Sequence, residues 1–216
     1  MLSDDIVNWM REKVDERGAD GALVGLSGGV DSAVVAGLIK KAFADNTLGV
    51  LLPCRGSHGK DNEYARLTAE TFNLKTVTAN LKSVYDSYMD VFSGLDIESV
   101  DKDFWPQTNV PTEDVGNQAA HNMKPRLRMV ALYYIAERLN YVVMGTSNKS
   151  EIITGYYTNH GDNATDMRPL GDLTKTEVWE LAREVGVPEE IIKRPPTGGL
   201  RGTEGDEDEI GITYPE

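Results

Sequence analysis

The chain has 216 residues, enough for one domain with a full hydrophobic core. Hydrophobic residues make up 40% and charged residues 26%, the balance of a soluble globular protein, and no apolar run reaches the ~18 residues of a membrane span. The net charge of −13 argues against nucleic acid as a partner, since such binders need a basic surface to release counterions, and the single cysteine excludes a disulfide framework or a cysteine-rich metal cluster.

Residues 3–17 read as a helix, with Ser3 as N-cap and Ile6, Met10 and Val14 on one face. This opening is not a signal peptide, so a cytoplasmic enzyme is the expected class. Gly21 to Leu26 fits a buried strand, broken by Ser27-Gly28-Gly29-Val30-Asp31-Ser32 before a helical stretch from Ala33 to Phe43. A second strand, Leu48 to Leu52, stops at Pro53; helices over 60–72 and Leu81 to Phe92 flank a third strand, Lys75 to Thr78. Residues 93–117 lack a period and carry Pro106 and Pro111, and are read as a mobile connection. Leu127 to Leu139 reads as a helix and Tyr141 to Met144 as a strand. Thr174 to Val185 reads as a helix with a Thr174–Glu177 capping box, ended by Gly186 and Pro188. Residues 198–216 form an acidic tail. Strands alternating with helices predict an α/β fold: one domain over 1–216 built on a parallel β-sheet with helices on both faces.

The informative segment is the loop from Ser27 to Ser32. Adjacent glycines allow positive φ and a close backbone approach to an anion, and the serines add hydroxyl donors. The helix that follows turns the positive end of its dipole toward the loop. Asp31 would repel phosphate unless it holds a magnesium ion bridging phosphate oxygens. The segment is neither a Walker A loop nor a dinucleotide G-x-G-x-x-G.

The loop resembles the SGGxDS pyrophosphate loop of the ATP pyrophosphatases. Later segments narrow the resemblance: Asn122-Met123-Lys124-Pro125-Arg126-Leu127-Arg128-Met129, then Gly145-Thr146-Ser147-Asn148-Lys149-Ser150-Glu151. Thr154-Gly155-Tyr156-Tyr157-Thr158 with Gly161-Asp162, Asp166 and Pro169 follows, and Leu173-Thr174-Lys175-Thr176 and Pro196-Thr197 complete the set. In that order they resemble ammonia-dependent NAD synthetase across nearly the whole chain.

The resemblance implies an adenine nucleotide alpha-hydrolase-like (Rossmann-like) fold and an ATP-dependent amide ligase. Such an enzyme adenylates the carboxylate of deamido-NAD and amidates it with ammonia, giving NAD, AMP and pyrophosphate. The ATP site is expected at Gly25, Leu26, Ser27, Gly28, Gly29, Val30, Asp31 and Ser32, with Thr146, Lys175 and Thr197. Asp31 and Lys175 are expected to be catalytic, Asp31 and Glu151 to hold Mg²⁺, and Arg126, Asn159 and Asp166 to bind deamido-NAD. Arg128, two residues beyond Arg126 on a helix, is expected to face elsewhere. The metal roles predict that Asp31→Asn and Glu151→Gln each remove most activity with little change in fold. A homodimer is implied, with free ammonia, or a separate protein delivering it, as the nitrogen source.

Two departures bear on the second substrate. Asn159, followed by His160, stands where the family has a lysine that helps hold deamido-NAD. Family members also continue into a helical segment with a His-Lys pair, whereas this sequence ends at Glu216. ATP handling is therefore expected to be retained and the dinucleotide site to differ, through a shortened sequence or another carboxylate substrate. The rival expectations are a related ATP pyrophosphatase acting on a tRNA acceptor and a non-catalytic ATP-binding relative.

Overall fold

The computed structural model describes residues 1–56, 59–95, 112–195 and Thr213, with the backbone alone for 112–117. The elements are α1 (Leu2–Glu16), β1 (Gly21–Gly25), α2 (Val30–Phe43), β2 (Thr47–Leu51), α3 (Gly59–Thr71), β3 (Thr76–Thr78), α4 (Lys82–Ser93), α5 (Thr112–Leu139), β4 (Tyr141–Met144), α6 (Lys149–Thr154), α7 (Lys175–Val185) and α8 (Glu189–Ile192). The four strands form one sheet in the order β3-β2-β1-β4, every pairing parallel.

The apolar runs of the strands split by residue parity, as the pleat requires. Ala22 and Val24 of β1, Leu51 of β2, and Val142 and Met144 of β4 pack into one core with α1, α2 and α7. Leu23, Leu48, Val50 and Val143 point the other way, into a second core with α4 and α5. Burial on both faces explains why β1 reads as a continuous apolar run. Edge strand β3 is exposed at all three positions. Helix α2 is buried at nine positions from Val30 to Ile39 because it lies between the sheet and the pair α1 and α7. A helix apolar all round its circumference needs such a central position.

Local expectations are corrected at α1 and α5. Met1, not Ser3, caps α1; Ser3 lies inside the helix, 1% exposed, donating its N–H to Glu184 and accepting from Lys41. Helix α5 starts at Thr112 rather than Leu127, so residues 112–117 of the expected mobile connection are helical. Pro125 lies inside this helix, which tolerates the one lost N–H. The rest of that connection beyond Leu95, and the acidic tail apart from Thr213, lie outside the described residues. At α7 the expected cap is present: Glu177 accepts the Thr174 N–H at 2.7 Å, and Gly186 ends the helix at φ 91°.

Chain direction positions the site. From β1 the chain winds outward through β2 to β3, then returns across the sheet to place β4 on the other side of β1. The carboxyl ends of β1 and β4 therefore border the crevice where connections diverge, the place open parallel sheets offer to ligands.

Candidate active site

A cavity of about 280 Å³ opens at that crevice. Its walls come from the end of β1 and the start of α2 (Gly25, Ser27, Val30, Asp31, Ser32), the end of β4 and the start of α6 (Gly145, Thr146, Ser147, Glu151), and Lys175 at the first turn of α7. Pro125, Arg128, Met129 and Leu132 of α5 close another side, and Leu52, Met144, Tyr156, Tyr157, Asp162 and Arg194 are among the remaining lining residues.

The loop after β1 is held by its own hydroxyls. Ser32 Oγ donates to the Gly29 carbonyl at 2.9 Å, lies 3.0 Å from Ser27 Oγ, and accepts the Ser27 N–H at 3.3 Å. Gly29 donates its N–H to Ser27 Oγ at 3.2 Å. Only Gly28 adopts positive φ, at 84°, and a Cβ there would lie 2.5 Å from the Asp61 carbonyl oxygen, so the position excludes any side chain. Gly29, expected to share that freedom, sits at φ −90° as the N-cap of α2. The first N–H groups of α2 have no intrahelical partner and lie at the positive end of its dipole.

Lys175 explains how Asp31 is tolerated in the cavity wall. Its Nζ lies 2.5 Å from Asp31 Oδ2, with the lysine side chain 2% and the aspartate 15% exposed. A buried lysine at a helix N-terminus opposes the dipole and persists only with a counter-charge. Asp31 Oδ1 accepts from Asn148 Nδ2 at 3.0 Å. Asn148, fully buried, also caps α6: its Oδ1 accepts the Glu151 N–H at 3.1 Å, and Glu151 Oε2 accepts the Asn148 N–H at 3.2 Å. One residue thus joins the two carboxylates expected to hold a metal, Asp31 through its side-chain amide and Glu151 through its main-chain N–H. The donor set fits Mg²⁺, which takes hard oxygen ligands and often uses one or two carboxylates together with phosphate and water.

Of the expected ATP residues, Gly25, Ser27, Val30, Asp31, Ser32, Thr146 and Lys175 share this cavity, as does Glu151. Leu26 points into the core at 6% exposure, and its N–H pairs with Val50. Thr197 lies outside the described residues. The expected dinucleotide residues are dispersed. Arg126 donates Nε to the Asn159 carbonyl at 3.2 Å, and neither residue lines the cavity. Asp166 spends both oxygens on structure, accepting the Val143 N–H at 2.8 Å and pairing with Arg17 at 2.6 Å. It sits in a neighbouring depression with Trp9, Lys13 and Arg168.

Three contributors escaped the sequence reading. Asn148 was legible as the first residue of an Asn-x-x-Glu capping box. Arg128 was set aside on helical spacing, yet it is the arginine of α5 that lines the cavity. Arg194, past the end of α8, gives no sequence signal; it donates to the Gly28 carbonyl at 3.2 Å, pairs with Asp61, and lies over the Tyr64 ring.

Comparison with known proteins agrees with this geometry. Residues 2–216 match the family model described as NAD synthase. An NH(3)-dependent NAD(+) synthetase of Carboxydothermus hydrogenoformans is 46% identical over 98% of this chain and 81% of its own length. One from Methanocaldococcus jannaschii is 44% identical over 97% of this chain and 75% of its own. Among solved structures, an NMN synthetase from Francisella tularensis aligns over 100% of this chain and 82% of its own, with TM-score 0.86 and 32% identity. The NH3-dependent NAD synthetase of Campylobacter jejuni aligns over 89% of this chain and 75% of its own, with TM-score 0.73 and 31% identity. The chain belongs to the NAD synthase family.

Proposed function

We propose that this chain is an ammonia-dependent NAD synthetase, a carbon–nitrogen ligase that converts deamido-NAD, ATP and ammonia to NAD, AMP and pyrophosphate. One observation carries the reading: Ser27, Val30 and Ser32 of the loop, the Lys175–Asp31 pair and Glu151 all border one cavity at the sheet's switch point. The deamido-NAD carboxylate attacks the α-phosphorus of ATP, a P–O bond forms, and the α–β bond breaks to release pyrophosphate. Ammonia then adds to the acyl carbon, loses a proton, and displaces AMP.

The chain's part is positioning and charge stabilisation. Backbone N–H groups of the loop and the first turn of α2 receive the leaving pyrophosphate, and the Lys175 ammonium offsets its growing charge. Asp31 and Glu151, fixed by Asn148, would hold Mg²⁺, which when bound neutralises phosphate charge as a Lewis acid. Apolar Met129, Leu132 and Met144 lower the local dielectric and so strengthen each of these interactions.

Ammonia is the nitrogen donor, free or delivered by a separate protein; Cys54 is buried behind β2 in the α4–α5 core and offers no glutaminase nucleophile. A homodimer working in the cytoplasm completes the reading. Among the described residues no helix is long and apolar enough to cross a membrane.

A second acceptor, nicotinate mononucleotide, is favoured by one observation, the TM-score of 0.86 to the NMN synthetase against 0.73 to the Campylobacter jejuni NAD synthetase. The deciding experiment supplies ATP, Mg²⁺ and ammonium with either acceptor and measures AMP and the amidated product. NAD formation at the higher kcat/KM supports the first reading and NMN formation the second. Absence of both products, with ATP still bound, would sink the ligase assignment.

A further inference from the structure

Three cations line the cavity among the described residues: Lys175, Arg194 and Arg128. Two have carboxylate partners, Lys175 on Asp31 and Arg194 on Asp61. Among the described residues Arg128 makes one hydrogen bond, from Nε to the Leu52 carbonyl at 3.2 Å, and no carboxylate lies within ion-pair distance of it. That bond anchors the base of the guanidinium to the end of β2, so the terminal nitrogens are held in a fixed orientation. Around it, Pro125, Met129, Leu132 and Leu52 form an apolar wall.

Burial pulls the Arg128 pKa down, the mark of a charge lacking compensation. Asp61 and Asp162 attract it only at a distance, and burial in turn pushes the Asp162 carboxyl toward its neutral form. A guanidinium in so poor a solvent is costly unless it meets an anion, and its planar fork matches two oxygens of a phosphate or carboxylate.

We infer that Arg128 is an anion-holding residue of this cavity, whose fork receives an oxyanion of a bound substrate. Two sources share that chemistry, the α-phosphate of ATP and the pyridine carboxylate that attacks it. The inference deepens the ligase reading and rests on it for the identity of the substrates. Arg126, expected for the anionic substrate, is turned outward against Asn159, whereas Arg128 stands on the opposite side of α5, within reach of the cavity.

The test is calorimetric binding without turnover, comparing the full chain with Arg128→Gln, which keeps a donor for the Leu52 carbonyl but removes the charge. AMP is compared with adenosine, and nicotinic acid with nicotinamide. Loss of roughly 10- to 100-fold in affinity for AMP, with adenosine unchanged, identifies the phosphate as the partner. The same loss for nicotinic acid, with nicotinamide unchanged, identifies the carboxylate. Unchanged affinity for both anions, or equal loss for the uncharged counterparts, overturns the proposal. Should Arg128→Gln not fold, Arg128→Met, which retains the packing volume of the stem, carries the same comparison. Because no product is measured, a chain that formed no NAD would leave this outcome interpretable.

Discussion

Asn148 donates its Nδ2 to Asp31 Oδ1 at 3.0 Å across 117 residues of chain, while the same side chain caps α6 and fixes Glu151. Two parts of this job can be separated. Asn148→Ser keeps an N-cap acceptor and removes the donor to Asp31; Asn148→Ala removes both. Urea unfolding should show a loss of about 0.5–2 kcal/mol more for Ala than for Ser. Both should weaken binding of Mn²⁺, used as a Mg²⁺ probe, to the ATP complex, measured by electron paramagnetic resonance. Equal Mn²⁺ affinity in wild type and Asn148→Ser would show that Asp31 is positioned without it.

The Lys175–Asp31 pair makes the two single variants unequal. Asp31→Asn removes the carboxylate that is paired with an ammonium 2% exposed, whereas Lys175→Met leaves a carboxylate that is 15% exposed. Stability should fall by about 3–5 kcal/mol for Asp31→Asn and by less for Lys175→Met. The double variant should recover part of the loss, as chemical denaturation would reveal. The sequence-based expectation that Asp31→Asn would spare the fold is thereby revised, because the sequence does not reveal that its partner is a buried lysine. Glu151→Gln, which can still accept the Asn148 N–H, should retain the fold and lose activity.

Gly28 is confined by its φ of 84° and by the Asp61 carbonyl, and Arg194 holds its own carbonyl from the other side. Gly28→Ala should cost about 1–3 kcal/mol of stability and raise the KM for ATP. Gly29→Ala, in an extended conformation, should be much milder in thermal unfolding. Similar losses for the two would contradict the loop geometry described above.

Burial raises the Asp162 pKa, partly offset by the N–H of Thr158 at 2.8 Å. The folded state therefore holds this proton to higher pH than the unfolded chain. Its contribution is fully present below the unfolded pKa and is lost as pH rises through the folded one. Asp162→Asn, which keeps an acceptor for Thr158, should remove that decline. Urea titrations of both proteins, from below the ordinary carboxylate range to neutral pH, would show it as a stability gap that widens with pH in favour of the variant.

What was readable from the chain is the part written locally. Apolar runs bounded by glycine and proline located β1, β2 and β4, and the Ser27–Ser32 segment was legible as the link between a strand and a helix. The Thr174–Glu177 box marked the start of α7. Each depends on neighbours within a few residues. Helix α5 is the instructive failure: the pattern reads as helical only from Leu127, whereas packing against β1 and β4 accompanies a helix that runs through Pro125.

Amino-acid order alone determined the class of fold and the glycine-serine loop that links β1 to α2, because backbone freedom and residue chemistry set these over short spans. Tertiary structure decided which charges meet: Lys175 with Asp31 over 144 positions, Arg194 with Asp61 over 133, and Arg128 rather than Arg126 on the cavity wall. Such pairings depend on how parallel strands bring the ends of distant segments to one edge. Helical spacing establishes that two arginines face different ways, but only the packing of α5 on the sheet settles which of them faces the cavity.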